Sequence, residues 1–409
     1  MNGTSWTIDH ACPQCGAPIV LEETDRLLSC AFCRTRLVIF ADGAGHFRHY
    51  IPPPAAGDAD WLFVPYWRLR GQAYTFEPLQ IGYRYVDTNV RAVDAPHLPL
   101  SLGLRPQAMK VKFVTPDAPG RFVRPQRRLY DAIPQSDPAA FGAHRNLFVG
   151  ETASLIFTPL LLKNGRLHDP FQRKPLAGAE ELDGQEAQPA TTVQGQVRFL
   201  PALCPLCGWD LAGDRNALVL PCFHCRTTWL VSEGVLKQIP TASLKASAPS
   251  LLYLPFWRLR VSVEGLPAGS VADLIRLANL PRVARPGDDA RPLHFWTPAF
   301  KIHPALFLRW SRQMTIFQPE EAWEEGPPTN GELHAATLPP QEGVEAVTAI
   351  LGAVMTDKRA FQKALEELRI SETETLLVYH PFSVGTRELT HTGMGVVMER
   401  NALTYGKTM

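Results

Sequence analysis

The sequence predicts an α+β fold that is predominantly β, built from two tandem four-cysteine modules, each followed by a β-rich domain. Three observations carry this. The chain of 409 residues contains 37 prolines, about twice the usual share, which favours strands and turns over a helical bundle. All eight cysteines fall into two sets with the same C-x2-C-x14-C-x2-C spacing. A strand-like segment after the first set recurs after the second.

The cysteine sets are Cys12, Cys15, Cys30 and Cys33, and Cys204, Cys207, Cys222 and Cys225. They share flanking Pro, Gly, Arg and Thr. A two-residue gap lets the backbone curl so that both sulfurs face one ion, and two such knuckles complete a closed tetrahedral site. Gly16 and Gly208 follow the first knuckles, where a turn needs positive φ. Four thiolates around a divalent ion leave a charge of about −2, which Arg34 and Arg226 would offset. A redox CxxC pair or an iron–sulfur cluster is the alternative use of such cysteines. His224 lies inside a knuckle, but four sulfurs already saturate an ion, so it reads as an exposed knuckle residue.

The CPxCG knuckles resemble the zinc-ribbon (rubredoxin-like) family over roughly residues 8–40 and 200–232. The resemblance implies Zn(2+), two per chain, held by the eight cysteines. Such closed sites have no open position for water or substrate, so the zinc would be structural and not catalytic.

The repeat extends past the cysteines. Residues 62–70, LFVPYWRLR, recur at 252–260 as LYLPFWRLR. Weaker matches pair residues 114–116 with 296–298, and 155–159 with 377–381. On this reading the chain is an internal duplication whose second copy gains about 40 residues. Domains follow: ribbon 1 at 8–42, a β-rich domain at 61–176, a linker at 177–195, ribbon 2 at 198–238, and a second β-rich domain at 250–409 containing an acidic loop and amphipathic helix (318–370).

Alternation along the repeat makes strands, with Phe63, Pro65, Trp67 and Leu69 on one face and Val64, Tyr66, Arg68 and Arg70 on the other. Pro65 and Pro255 cannot donate to a ladder, which predicts a strand start, edge or bulge. Residues 154–162 and 166–169 flank Asn164-Gly165, a hairpin turn signal. Residues 375–382 and 395–399 are the expected counterparts. Pro304 opens a short helix. Val344, Val347, Leu351, Val354, Phe361, Leu365 and Leu368 keep helical spacing to about Arg369, interrupted by Lys358 and weakened by Gly352. That helix either packs on its own sheet or meets a partner. Residues 52–60, 177–195, 241–249 and 318–343 read as linkers, the last acidic through Glu320, Glu321, Glu324, Glu325, Glu332 and Glu342.

The 41 basic and 40 acidic side chains argue against a globally basic nucleic-acid wrapper. No leader or apolar span of about 20 residues is visible, so the expected location is cytoplasmic, with thiols reduced. There is no HExxH or GxSxG. Residues 406–408 imitate the end of a phosphate loop, but Asn401 replaces its first Gly, so the motif fails. The resulting expectation is a non-enzymatic adaptor or scaffold that meets protein partners. The alternative is a nucleic-acid-binding accessory protein using the ribbons and the basic segment Arg105, Lys110, Lys112, Arg121, Arg124, Arg127 and Arg128. Arg68, Arg70, Arg258 and Arg260, repeated in the two strand segments, are candidate partner or anion contacts; a purely structural role is the other reading.

Overall fold

The computed structural model describes residues 6–42, 46–54, 60–77, 80–103, 109–141, 146–163, 166–171, 174–176, 186–232, 234–246, 250–319 and 323–407. It is predominantly β, with its helices in the connections and at Asn401–Lys407 after the last strand.

The first ribbon is a hairpin of Thr7–Ala11 with Pro18–Glu22, followed by Leu27–Ser29 paired with Arg36–Ala41. The second is the antiparallel run Val219–Cys222, Thr227–Ser232 and Val235–Gln238. They are not separate beads. Val197–Pro201, entering the second ribbon, pairs with Arg36–Ala41 of the first. The Arg215 carbonyl accepts from the Arg26 and Leu27 amides at 2.6 and 2.8 Å. Leu27 and Val38 share an apolar cluster with Leu211, Leu220 and Trp229. The hydrophobic contact joins what chain order separates by almost 200 residues.

Two large sheets carry the rest. In the first, Trp61–Phe76 pairs antiparallel with Asn146–Lys163; in the second, Leu251–Glu264 pairs antiparallel with Arg369–Val384. The wiring around these ladders is alike. Phe47–Tyr50 runs parallel to Asn146–Lys163, and Thr241–Leu244 parallel to Arg369–Val384. Arg121–Val123 runs parallel to Trp61–Phe76, and Glu332–Leu333 parallel to Leu251–Glu264. The Trp67 indole donates to the Arg127 carbonyl at 2.7 Å, and the Trp257 indole to the Leu338 carbonyl at 2.9 Å.

Pro65 and Pro255 lie inside these long strands, not at a start, edge or bulge. The reason is a change of neighbour. Ile81–Arg91 pairs from Tyr66 onward, whereas Arg121–Val123 pairs with Leu62 and Phe63. Pro65 falls between them, and its carbonyl accepts from the Ala92 amide on that same side. Its missing N–H therefore faces no ladder. Pro255 sits likewise between Phe295–Pro298 and Glu332–Leu333, with its carbonyl bonded by the Ala299 amide.

The expected match of residues 114–116 with 296–298 fails in register. Phe295–Pro298 pairs with the Trp257 segment, the place that Ile81–Arg91 takes beside Trp67. The Val114 amide instead bonds the Arg48 carbonyl, as the Gly326 amide bonds that of Thr241. The match of 155–159 with 377–381 does hold, since Leu155 faces Trp67 and Leu377 faces Trp257.

Helices follow the two short parallel strands in both halves: Leu129–Ser136 with Pro138–Phe141, and Pro340–Val354 with Lys358–Ala364. The second half additionally carries the helices Val271–Leu277 and Pro304–Phe317 between its two long strands. The expected continuous helix is instead two. The Lys358 ammonium donates to the carbonyls of Gly352 and Met355 at 2.5 and 2.7 Å, ending the first helix. Asp357 then caps the second through the Ala360 amide. Two expected linkers contribute strands as well: Thr241–Leu244, fully buried, and Trp323–Glu325 with Glu332–Leu333. Val397–Glu399 pairs with Glu388–His391 and not with Arg369–Val384. The helix at Pro304–Phe317 is as expected. The hairpin joining Asn146–Lys163 to Arg166–Asp169 is present, although its Asn164-Gly165 turn lies outside the described residues, as do Arg105, Glu320, Glu321 and residues 177–185.

All sixteen residues of Trp61–Phe76 are buried, so both faces are covered. The largest core cluster joins Phe256, Trp257, Leu377 and the helix side chains Val347, Ile350 and Leu351 to Tyr74, Phe76 and Val149 of the first sheet. Pro340–Val354 packs on strands of both sheets. Among the described residues no helix is long and apolar enough to cross a membrane.

Candidate metal centres

Each set of four cysteines converges. Within each cluster the sulfurs lie within 4.8 Å of one another. Cys12–Cys33 and Cys15–Cys30 are 3.9 and 3.7 Å apart; Cys204–Cys225 and Cys207–Cys222 are both 3.6 Å. Four sulfurs about 2.3 Å from a central ion form a tetrahedron with edges of about 3.8 Å. The clusters fit a metal ion, and disulfide bonding at about 2.05 Å is excluded by the same distances. The two clusters suggest two metal sites.

The knuckles explain the convergence. The Gly16 amide bonds the Cys12 carbonyl at 2.8 Å, and the Gly208 amide the Cys204 carbonyl at 2.8 Å. Both glycines have φ of 73°, as the sequence predicts. Arg34 and Arg226 hold the corresponding left-handed position of the second knuckles, with φ of 62° and 58°. An arginine there gives no sequence signal of its conformation. Arg226 turns outward to the Glu325 carbonyl at 2.9 Å.

The surroundings favour the thiolate at some positions and oppose it at others, with neighbouring thiols raising Cys15 to about 11 and Cys207 to about 12. The Thr35 hydroxyl and amide, with neighbouring thiols, bring Cys33 down to about 6. Burial opposes ionisation of Cys204, but the amides of Cys207 and Leu206 and the Thr227 hydroxyl overcome it, to about 6. Thr227 is itself held by the Trp229 indole at 3.0 Å. The repeated Thr after each second knuckle is thus a supporting residue that spacing alone does not reveal. His224 stays outside the cluster, stacked on Trp209 with ring centroids 4.9 Å apart.

The four repeated arginines have different settings. Arg68 is buried and paired with Glu23 and Asp87. Arg70 is buried too. Arg258 lies over the Trp323 ring at 4.8 Å and within 3.3 Å of His294. Arg260 is exposed. The fold does not gather them into one site. The basic segment is interleaved with acids: Lys110 pairs with Asp9, Arg121 with Asp60, Arg124 with Glu186 and Arg127 with Asp94.

Sequence reasoning missed Lys301. Its ammonium donates to the Thr152 hydroxyl at 2.7 Å, tying the second half to the bulge in Asn146–Lys163. Burial pulls it down to about 8, with Glu342 opposing. The Gly150 amide at that bulge donates to Glu342, and the Gln72 amide to the Ile302 carbonyl. These polar ties close the seam between the sheets.

No family model, curated protein or solved structure matches this chain.

Proposed function

We propose that the chain is a non-enzymatic adaptor whose two four-thiolate clusters hold zinc as a purely structural ion, in the manner of zinc ribbons. Closed sulfur sites leave no coordination position for water or substrate, which supports a structural role. The observation that carries the adaptor reading is on the knuckles. Phe32, Leu206, Trp209 and Phe223 are each at least half exposed, on loops that a bound ion would hold rigid. Large apolar side chains repeatedly left exposed on knuckle loops favour protein contacts.

The alike wiring of the two ladders supports a second element of this reading, that the chain arose as two copies of a ribbon-plus-β unit. The reading keeps the eight thiols in a reducing compartment such as the cytoplasm.

The test compares the wild type with a Phe32→Ala, Leu206→Ala, Trp209→Ala, Phe223→Ala variant. Both should bind two zinc ions per chain and melt alike, while only the wild type retains native partners through purification. Titration with DNA and RNA at low salt supplies the opposing arm. Tight binding that weakens steeply with salt and needs Lys112 and Arg128 would replace the adaptor by a nucleic-acid-binding protein.

A further inference from the structure

The two ribbons meet through the segments that carry their cysteines. Arg36–Ala41 leaves the second knuckle of ribbon 1 just after Cys33, and Val197–Pro201 enters the first knuckle of ribbon 2 just before Cys204; these strands pair antiparallel along their length. The Ala202 amide extends the contact to the Arg36 carbonyl at 3.0 Å. Ahead of Cys30, the Arg26 and Leu27 amides both donate to the Arg215 carbonyl, which lies between the two knuckles of ribbon 2. Side chains close the same contact. The Arg36 guanidinium donates to the Leu211 and Gly213 carbonyls at 2.7 and 3.3 Å, and Arg215 pairs with buried Asp25. Leu27 and Val38 of ribbon 1 share an apolar cluster with Cys204 and Cys222, two of the cysteines of ribbon 2.

A module of about 35 residues buries too little apolar surface to hold its shape unaided, so metal binding and ordering of its knuckles are one event. Each ribbon therefore presents its side of the contact only when it is ordered. Filling one site completes half of the surface against which the other must order, and less conformational entropy remains to be lost at the second step. Both ribbons are also anchored elsewhere. Glu23 of ribbon 1 pairs with Arg68, and Arg226 of ribbon 2 donates to the Glu325 carbonyl. These anchors keep the metal-free ribbons close together, so the coupling is graded and not all-or-none.

We propose that the two four-cysteine sites are coupled through this contact, zinc in either ribbon raising the affinity of the other. The proposal rests on the zinc reading of the clusters and is independent of the adaptor role. Linkage makes the effect equal in both directions, and couplings of this kind are about 5- to 150-fold. Such a factor weakens a lone site without emptying it. As free zinc falls, the two ribbons lose their order together, over a narrower range than independent sites would show.

Chelator competition on the full, reduced chain tests this. Cys12→Ser, Cys15→Ser leaves only the site of ribbon 2, and Cys204→Ser, Cys207→Ser only that of ribbon 1. The wild-type overall affinity for two zinc ions should exceed the product of the two lone-site affinities by about 5- to 150-fold. Native mass spectrometry of the half-loaded wild type gives a second reading. Independent, equal sites put about half of the chains in the one-zinc form; coupling depletes it, and Arg36→Met, which removes contacts between the ribbons and no thiol, should bring it back. Melting temperature establishes that each variant is folded; should a lone-site variant fail this, the wild-type distribution decides alone, and a one-zinc form at half or more overturns the proposal. An overall affinity equal to the product overturns it while leaving the zinc reading intact. A chain that takes up no zinc overturns both.

Discussion

Arg68 in the long strand of the first sheet reaches Glu23 of the first ribbon, Nε to Oε1 at 3.4 Å, with side chains only 4% and 1% exposed. Asp87 on the adjacent strand holds the same guanidinium from its other side. The first four-cysteine module is thereby fastened to the β core by a buried charge.

Breaking that pair from one side leaves a charge buried without compensation, which costs about 3–5 kcal/mol. Arg68→Met is therefore expected to lower the denaturant midpoint strongly. The double variant Arg68→Met, Glu23→Leu should recover most of the loss. Equal destabilisation of single and double variants would show that the two residues act independently.

His380 and His391 form a buried pair, Nδ1 to Nε2 at 3.0 Å. The amides of Gly393 and Met394 donate to His391 Nδ1 at 3.1 and 3.0 Å. His391 must then carry its proton on Nε2 and donate to His380, so protonating His380 sets two donors against each other. Burial holds His391 down to about 4 and His380 well below its ordinary value. Both folded values lie below the unfolded value of about 6.5, so the stabilisation is complete above that pH and is lost as pH falls towards 4. Each group removes up to about 1.4 kcal/mol per pH unit in that window. Urea unfolding from pH 7.5 to 5 should be steeper in pH for the wild type than for His380→Phe, the metal sites contributing equally to both.

Gly352 lies within the helix Pro340–Val354, where Ala would ordinarily stabilise by about 1 kcal/mol. Here an added Cβ would come within 2.8 Å of Phe361 and of Ile81. Overpacking of about 1–3 kcal/mol outweighs the propensity gain. Gly352→Ala should therefore lower the melting temperature.

The knuckle corners give the opposite test. Nothing lies within 4 Å of a Cβ added to Gly16 or Gly208, so Gly→Ala there costs only the left-handed backbone, about 1–2 kcal/mol. Arg34→Gly and Arg226→Gly relieve the same strain and should raise stability without changing metal content. Thermal unfolding of the zinc-loaded variants measures both signs.

The metal clusters were legible because ligand chemistry fixes residue type and spacing together. The Trp-Arg-Leu-Arg segments are legible as strands by their alternation, although both faces of the first are buried, while the second keeps Arg258 half-buried and Arg260 exposed. The place of Pro65 is not legible locally because its tolerance depends on which neighbour occupies each side, and that pairing spans residues 62 to 122. Thr241–Leu244 reads as linker in the sequence because a four-residue parallel strand has no pattern of its own. Lys358 looked like a flaw in an apolar stripe and is instead the helix stop. Lys301 gives no local signal, since its setting is assembled by distant segments of chain.

Metal analysis of the natively purified chain tests the central claim most directly. The account predicts two zinc ions per chain, one lost with Cys12→Ser and the other with Cys204→Ser. A value near zero, or iron in place of zinc, would contradict it.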